Sequence, residues 1–250
     1  MMPRILYLDF ETTPIVGWTW RAWEGDMFHI MRDVQIMSVA WSWDDEDEVY
    51  CLSLPEFPGY KPGIMNVNDK KLVQAFVPIF NRADAVVAQN GKNFDFKVWR
   101  TRLLVNGFDP CPNIVEIDTK QWASRFRFSR NSLDNMSRQL GGTRKMRTRK
   151  ELHYDCLELN DPSAWKENNE YNKIDVLVLK ESAKRMAPHV PVLANFHTGL
   201  EIMCRNPICG SKLLRRNGVR KVKGGHKVEF LCKKCSGYTR GPLVKDSALI

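Results

Sequence analysis

Hydrophobic positions fall into short apolar runs separated by stretches with helical spacing. Residues 4–9 (RILYLD) form an apolar run ending in an acid, the pattern of a buried strand. Residues 34–43 and 48–54 read as two further strands joined at the acidic turn Asp44–Asp47. Before them lies a long loop containing Trp18, Trp20 and Trp23. Leu72, Val73, Phe76, Ile79 and Phe80 recur at helical spacing across 69–81, with Pro78 near the end. Residues 84–89 (DAVVAQ) read as another buried strand, followed by a helix capped by Asn93 and stopped at Gly107. A strand at 114–118 precedes helical segments at 119–128 and 132–140. The stretch 141–150 (GGTRKMRTRK) has no period and is expected to be an exposed, mobile loop. Residues 168–187 form a strong helix with Ile174, Leu177, Val178 and Met186 near one face, and Pro188 and Pro191 punctuate the chain after it. Strands interleaved with helices predict an α/β domain over 1–190. A linker (191–203), a cysteine-bearing module (204–240) and a tail (241–250) follow.

Composition narrows the class. With 43% apolar and 27% charged residues the chain is globular, which excludes collagen, coiled coil and disorder. No apolar run approaches the roughly 18 residues of a membrane helix, and Asp9 and Glu11 interrupt the N-terminal apolar stretch. A cytoplasmic protein is expected. The net charge of +9 is unevenly placed: residues 125–150 hold nine Lys/Arg against Asp134 alone, and residues 204–245 hold twelve against Glu229 alone. Such segments suit a polyanionic partner, with a solvated basic surface as the alternative.

Acids at special positions supply the candidate chemistry. Asp9 and Glu11 lie two apart on the first strand, so both point to one face. Two carboxylates aimed at one point repel unless a cation neutralises them, which suggests a metal site rather than a surface pair. Tyr171 and Asp175, four apart on the late helix, share a face. Asp95 falls in a helix's first turn, where the dipole favours an acid. Each of the last two constellations has an ordinary structural reading by itself.

Taken together, LDFETTP (8–14), QNGKNFDFKVW (89–99) and YNKIDVLVL (171–179) resemble the three motifs of the DEDD 3′–5′ exonucleases, in the same order. The intervening IDTKQWASRF and SLDNMSRQLGG resemble the family's connecting region. The tyrosine subtype fits, because the histidine subtype would place His where Glu170 stands. Many relatives have His-Asn where this chain has Gln89-Asn90, and the basic loop 141–150 is not a required family element. The resemblance implies a ribonuclease-H-like mixed sheet flanked by helices and two Mg²⁺ or Mn²⁺ ions for phosphodiester hydrolysis from a 3′ end. It implies that Asp9 bridges both ions, that Glu11 and Asp175 complete one site, and that Asp95 supports the other. Tyr171 would orient the attacking water, and Thr12 and Asn90 would contact the terminal nucleotide. Arg144, Lys145 and Lys150 of the basic loop are expected to contact the strand backbone.

Seven cysteines are an odd number, and Cys51, Cys111 and Cys156 read as small buried hydrophobes. The other four form C-x4-C-x22-C-x2-C: Cys204, Cys209, Cys232 and Cys235. Four thiolates suit one structural Zn²⁺, with His197 or His226 replacing a cysteine as the variant. The module is expected to be a zinc ribbon that contacts phosphates, or else a docking module for a protein partner of replication or repair. The Trp18, Trp20 and Trp23 side chains either stack on unpaired bases or pack on the core. DNA, as a single strand or 3′ end, is the favoured substrate. An exoribonuclease and a catalytically inactive nucleic-acid-binding adaptor are the alternatives.

Overall fold

Alternation along one strand organises the molecule. In the computed structural model, which describes residues 4–21, 25–112, 114–190, 203–222 and 225–241, strand β1 (Ile5–Thr12) lies at the centre of a five-stranded sheet. Trp23, His197, nearly all of the 191–203 linker and the tail beyond Gly241 fall outside those residues, as does the side chain of His226. The first hairpin is β2 (Val16–Trp18) with β3 (His29–Arg32). Next come β4 (Ile36–Trp43), β5 (Tyr50–Ser53), helix α1 (Lys70–Phe80), β6 (Ala85–Ala88), α2 (Asp95–Asn106) and β7 (Val115–Asp118). The helices α3 (Thr119–Ala123), α4 (Leu133–Leu140), α5 (Leu152–Leu157) and α6 (Pro162–Met186) complete the domain. Sheet order is β5-β4-β1-β6-β7, with β4 antiparallel and β6 parallel to β1. The expected ribonuclease-H-like mixed sheet with flanking helices is therefore present.

Period two divides β1 between two cores. Leu6, Leu8 and Phe10 face α1 and α2, where the Phe10 ring stacks on Trp99 with centroids 5.9 Å apart. Ile5 and Tyr7 face α6, against Val176, Val178 and Leu179. Asp9 and Glu11 continue that second face beyond its apolar part. A buried Asp69 fastens the first core: it accepts from Arg102 at 2.7 and 2.8 Å, Asn106 at 2.9 Å and the Ile36 amide at 3.0 Å.

Four local expectations need correction. The tryptophan-bearing loop contains a β-hairpin, whose exposed side chains hide its alternation. Asn93 does not cap α2: the turn carbonyl of Asn90 accepts from the amides of Asn93 and Phe94, and the helix starts at Asp95. Helix α6 begins at Pro162, with the Asp161 carboxylate accepting from the Ser163 amide at 2.8 Å. Proline suits that first position because it has no amide to leave unpaired. The 141–150 stretch is irregular but held: Glu181 accepts from the Thr143 amide and hydroxyl, Arg144 pairs with Asp134, and Arg149 pairs with Asp155 and Glu167.

The C-terminal module is a three-stranded antiparallel sheet of β8 (Leu214–Val222), β9 (Gly225–Cys232) and β10 (Tyr238–Arg240), in the order β10-β9-β8. Among the described residues no helix is long and apolar enough to cross a membrane.

Candidate active site

Helix α6 crosses the face of β1 that carries the acids. One carboxylate oxygen from each of Asp9, Glu11 and Asp175 lies within 4.8 Å of the others. Tyr171, one turn before Asp175, faces the same open cavity of about 470 Å³. Asn90, Phe94 and Lys145 also line it. The Lys145 ammonium lies 2.5 Å from Asp175 Oδ2, and it donates to the Tyr171 hydroxyl at 3.3 Å. The other oxygen, Asp175 Oδ1, is buried without a hydrogen-bond partner.

Asp95 stands apart from this triad. It is 1% exposed, does not line the cavity, and its Oδ1 accepts from the Phe10 amide, between Asp9 and Glu11, at 3.2 Å. Thr12, half-buried past the irregularity that ends β1, is also off the cavity wall. Neither Arg144, which is paired with Asp134, nor the exposed Lys150 lines it. Asn90 holds a left-handed backbone (φ 60°), a conformation asparagine tolerates better than most residues. Two residues escaped the sequence reading. Asn172, fully buried, donates to Asp9 Oδ2 at 2.8 Å and accepts from Ser38 at 3.2 Å. A buried asparagine in a helix interior was its one signal. Phe94, adjoining Asp95, presents a partly exposed ring to the cavity.

Electrostatics shows what the site suits. Burial and then repulsion from Glu11, Asp95 and Asp175 hold Asp9 well above the usual carboxylate range. Glu11 is pushed up to about 7 by burial and Asp175, and Asp95 to about 7 by burial despite its backbone hydrogen bonds. Asp175 is raised by burial against the pull of Lys145. Burial alone would lower the lysine, but Asp175, Tyr171 and Asp9 together raise it. Burial and Asp175 push Tyr171 up to about 12, so its phenol stays protonated at neutral pH. Converging carboxylates and an orphaned Asp175 oxygen, only partly offset by Lys145, fit a site for hard divalent ions such as Mg²⁺ or Mn²⁺.

In the C-terminal sheet all four cysteine sulfurs also lie within 4.8 Å of one another. Cys204 and Cys235 are 3.6 Å apart, and Cys209 and Cys232 are 3.7 Å apart. A tetrahedral ion with Zn–S bonds of about 2.3 Å separates its ligands by about 3.8 Å, whereas a disulfide needs about 2 Å. The cluster fits structural zinc. The apolar contacts of this module centre on the cysteines and Leu214, so a bound ion would be its core.

The chain belongs to the RNase H superfamily: the RNase_H_2 family model matches residues 44–187. That span includes Asp95, Tyr171 and Asp175 but begins beyond β1, so the association of Asp9 and Glu11 with them rests on the geometry. A similar fold occurs in the solved family B DNA polymerase of the hyperthermophilic archaeon Pyrobaculum calidifontis, with TM-score 0.50 and 13% identity. The match covers 76% of this chain and 26% of the polymerase, so the likeness is to about a quarter of that protein and is one of fold. No curated protein sequence matches the chain. Family and fold together point to a nuclease-type, nucleic-acid-processing protein.

Two predictions follow from the site's charges and sulfurs. A carboxyl whose folded pKa is raised stabilises the fold below its unfolded pKa and loses that contribution as pH climbs through the folded value. Without metal, the protein should therefore lose this stability between about pH 4 and pH 8. In EDTA at pH 8, Glu11→Gln should melt at least about 2–4 °C above the parent, the shift that 1 kcal/mol gives at this size. At pH 4.5 the gap should nearly close; equal melting at both pH values would contradict the strain. Cys232→Ser should release zinc and unfold the small sheet while the main domain's melting stays in place, measured by metal analysis and calorimetry.

Proposed function

We propose that the chain is a metal-dependent 3′–5′ exonuclease acting on DNA. Residues 1–190 form the nuclease domain in this reading, and the 204–240 zinc ribbon grips nucleic acid. The observation that carries it is the meeting of Asp9, Glu11 and Asp175 beside Tyr171 in one open cavity, with Asp175 Oδ1 left unpartnered. Asp9, Glu11 and Asp175 would hold divalent cations, with Asp95 supporting from behind β1. Bound there, the ions supply Lewis-acid stabilisation of the attacking and leaving oxygens.

The protein's own groups have separable parts. Tyr171, protonated at neutral pH, orients the attacking water as a hydrogen-bond partner and is not the base. Asn172 fixes the Asp9 carboxylate on the cavity side of β1. Lys145, held charged, neutralises phosphate in the backbone of the bound strand. Asn90 and Phe94 border the place where a terminal nucleotide would lie. Thr12, Arg144 and Lys150 contact the strand only if it extends beyond the cavity wall.

The test uses 5′-labelled single-stranded DNA and RNA of one sequence, with Mg²⁺ or Mn²⁺. The DNA should shorten stepwise from its 3′ end, and cleavage should vanish in EDTA. Asp9→Ala should lose activity at least about a thousand-fold, as expected when an ion-holding carboxylate is removed. Tyr171→Phe should lose less, about ten- to a hundred-fold. Preferential shortening of RNA would reassign the protein as an exoribonuclease. Tight binding without cleavage of either strand would make it an adaptor.

A further inference from the structure

The β2–β3 hairpin exposes what the rest of the fold buries. Among the described residues, seven of the fifteen large exposed hydrophobic side chains lie between Ile15 and Met31. Trp18 is 58% exposed, Trp20 79% and Phe28 51%. An apolar patch concentrated in this way on a basic protein marks a contact surface. The rings are ordered against one another. Trp20 and Phe28 stack with centroids 4.7 Å apart and planes 20° from parallel, and Trp18 meets Phe28 and His29 edge-on at 6.2 and 6.0 Å.

The backbone beneath them is tightly built. Gly17 pairs with Ile30, and a Cβ on it would come within 2.5 Å of the His29 carbonyl oxygen and 2.7 Å of Met27 Sδ. Only glycine lets the strands approach this closely. The root of the hairpin is clamped to β4's entrance: the Thr13 amide donates to Gln35 O at 2.8 Å, and the Gln35 amide donates to Thr13 Oγ1 at 3.0 Å. Four residues lie between Glu11 and Val16, a span of five residue steps, so the hairpin's first residue lies within about 17 Å of Glu11 by chain reach. Arg21 and His29 stand exposed among the rings. Exposed aromatic faces with Arg21 on the same hairpin, a short chain distance from a cavity suited to phosphate chemistry, match the surface that single strands use for stacking.

We propose that this hairpin is a stacking platform for unpaired bases of a nucleic-acid strand leading into the carboxylate cavity, with Trp18, Trp20 and Phe28 as its rings. The inference rests on the nuclease reading for what the strand is doing there. Its test does not require turnover.

Binding of a fluorescein-labelled 15-nucleotide oligo(dT) to the full, zinc-loaded chain is measured by anisotropy in buffer with no added Mg²⁺ or Mn²⁺. Trp18→Ala and Trp20→Ala should each weaken it roughly 5- to 150-fold, the range that loss of a base–aromatic stack produces. Trp20→Phe should restore most of the affinity and Trp20→Leu should not. The slope of log affinity against log salt should hold in these variants, because no phosphate contact is lost. Unchanged melting temperatures would confirm that the folds are intact. The platform is overturned if oligo(dT) affinity in Trp18→Ala and Trp20→Ala stays within two-fold of wild type, or if Trp20→Leu binds as well as Trp20→Phe. It is equally overturned if the variants instead disperse a dimer of the chain with oligonucleotide affinity intact. Weakened binding by a protein that cleaves nothing would leave the platform standing and remove the nuclease assignment.

Discussion

Repulsion between carboxylates that the fold forces together is the constraint around which this molecule is arranged. β1 is buried on both faces over its first four residues, so it cannot move to relieve Asp9 and Glu11 where it emerges. α6, packed on the same face through Val176, Val178 and Leu179, brings Asp175 against them. Asn172 holds Asp9 in place, and Asp95 lies beside the strand against the Phe10 amide. Lys145 offsets part of this charge. The raised carboxyls and the orphaned Asp175 oxygen record the remainder. Carboxylates strained in this way fit divalent cations as their complement.

The peripheral elements make sense around that centre. The 141–150 loop is tied by Thr143 to Glu181 and by Arg149 to Asp155 and Glu167, and those ties set the path that drops Lys145 into the cavity. The hairpin after β1 carries its rings on a root clamped by Thr13 and Gln35, a few residues along the chain from Glu11. In the small sheet the cysteines take the place of an apolar core, so a structural ion bound by them would also hold the fold.

Much of this was legible in the chain because period and spacing are local. The apolar run into Asp9 and Glu11 could only be a buried strand with both acids on one face, and Tyr171 with Asp175 could only share a helix face. The cysteine spacing likewise brings the four sulfurs together. Chain path was not legible. Arg144, Lys145 and Lys150 look equivalent in sequence, yet only Lys145 reaches the cavity. Asp95 read as a first-turn acid, but its carboxylate turns toward the Phe10 amide because β1 passes beside that helix end. Pro162 and the mixed stretch after it (PSAWKE) hid the first turns of α6, and exposed rings hid the alternation of β2 and β3. Asn172 had no signal beyond its residue type, since its role depends on a partner 163 residues away.

The most direct test is to count divalent ions at the carboxylates. Mn²⁺ titrated into the zinc-loaded protein, with free ion followed by electron paramagnetic resonance, should show saturable binding. Asp9→Asn and Asp175→Asn should each weaken it at least about ten-fold, as loss of a charged oxygen ligand requires. Mn²⁺ binding that is the same in wild type and both variants would contradict the account, because the acids would then be held together for some purpose other than a cation.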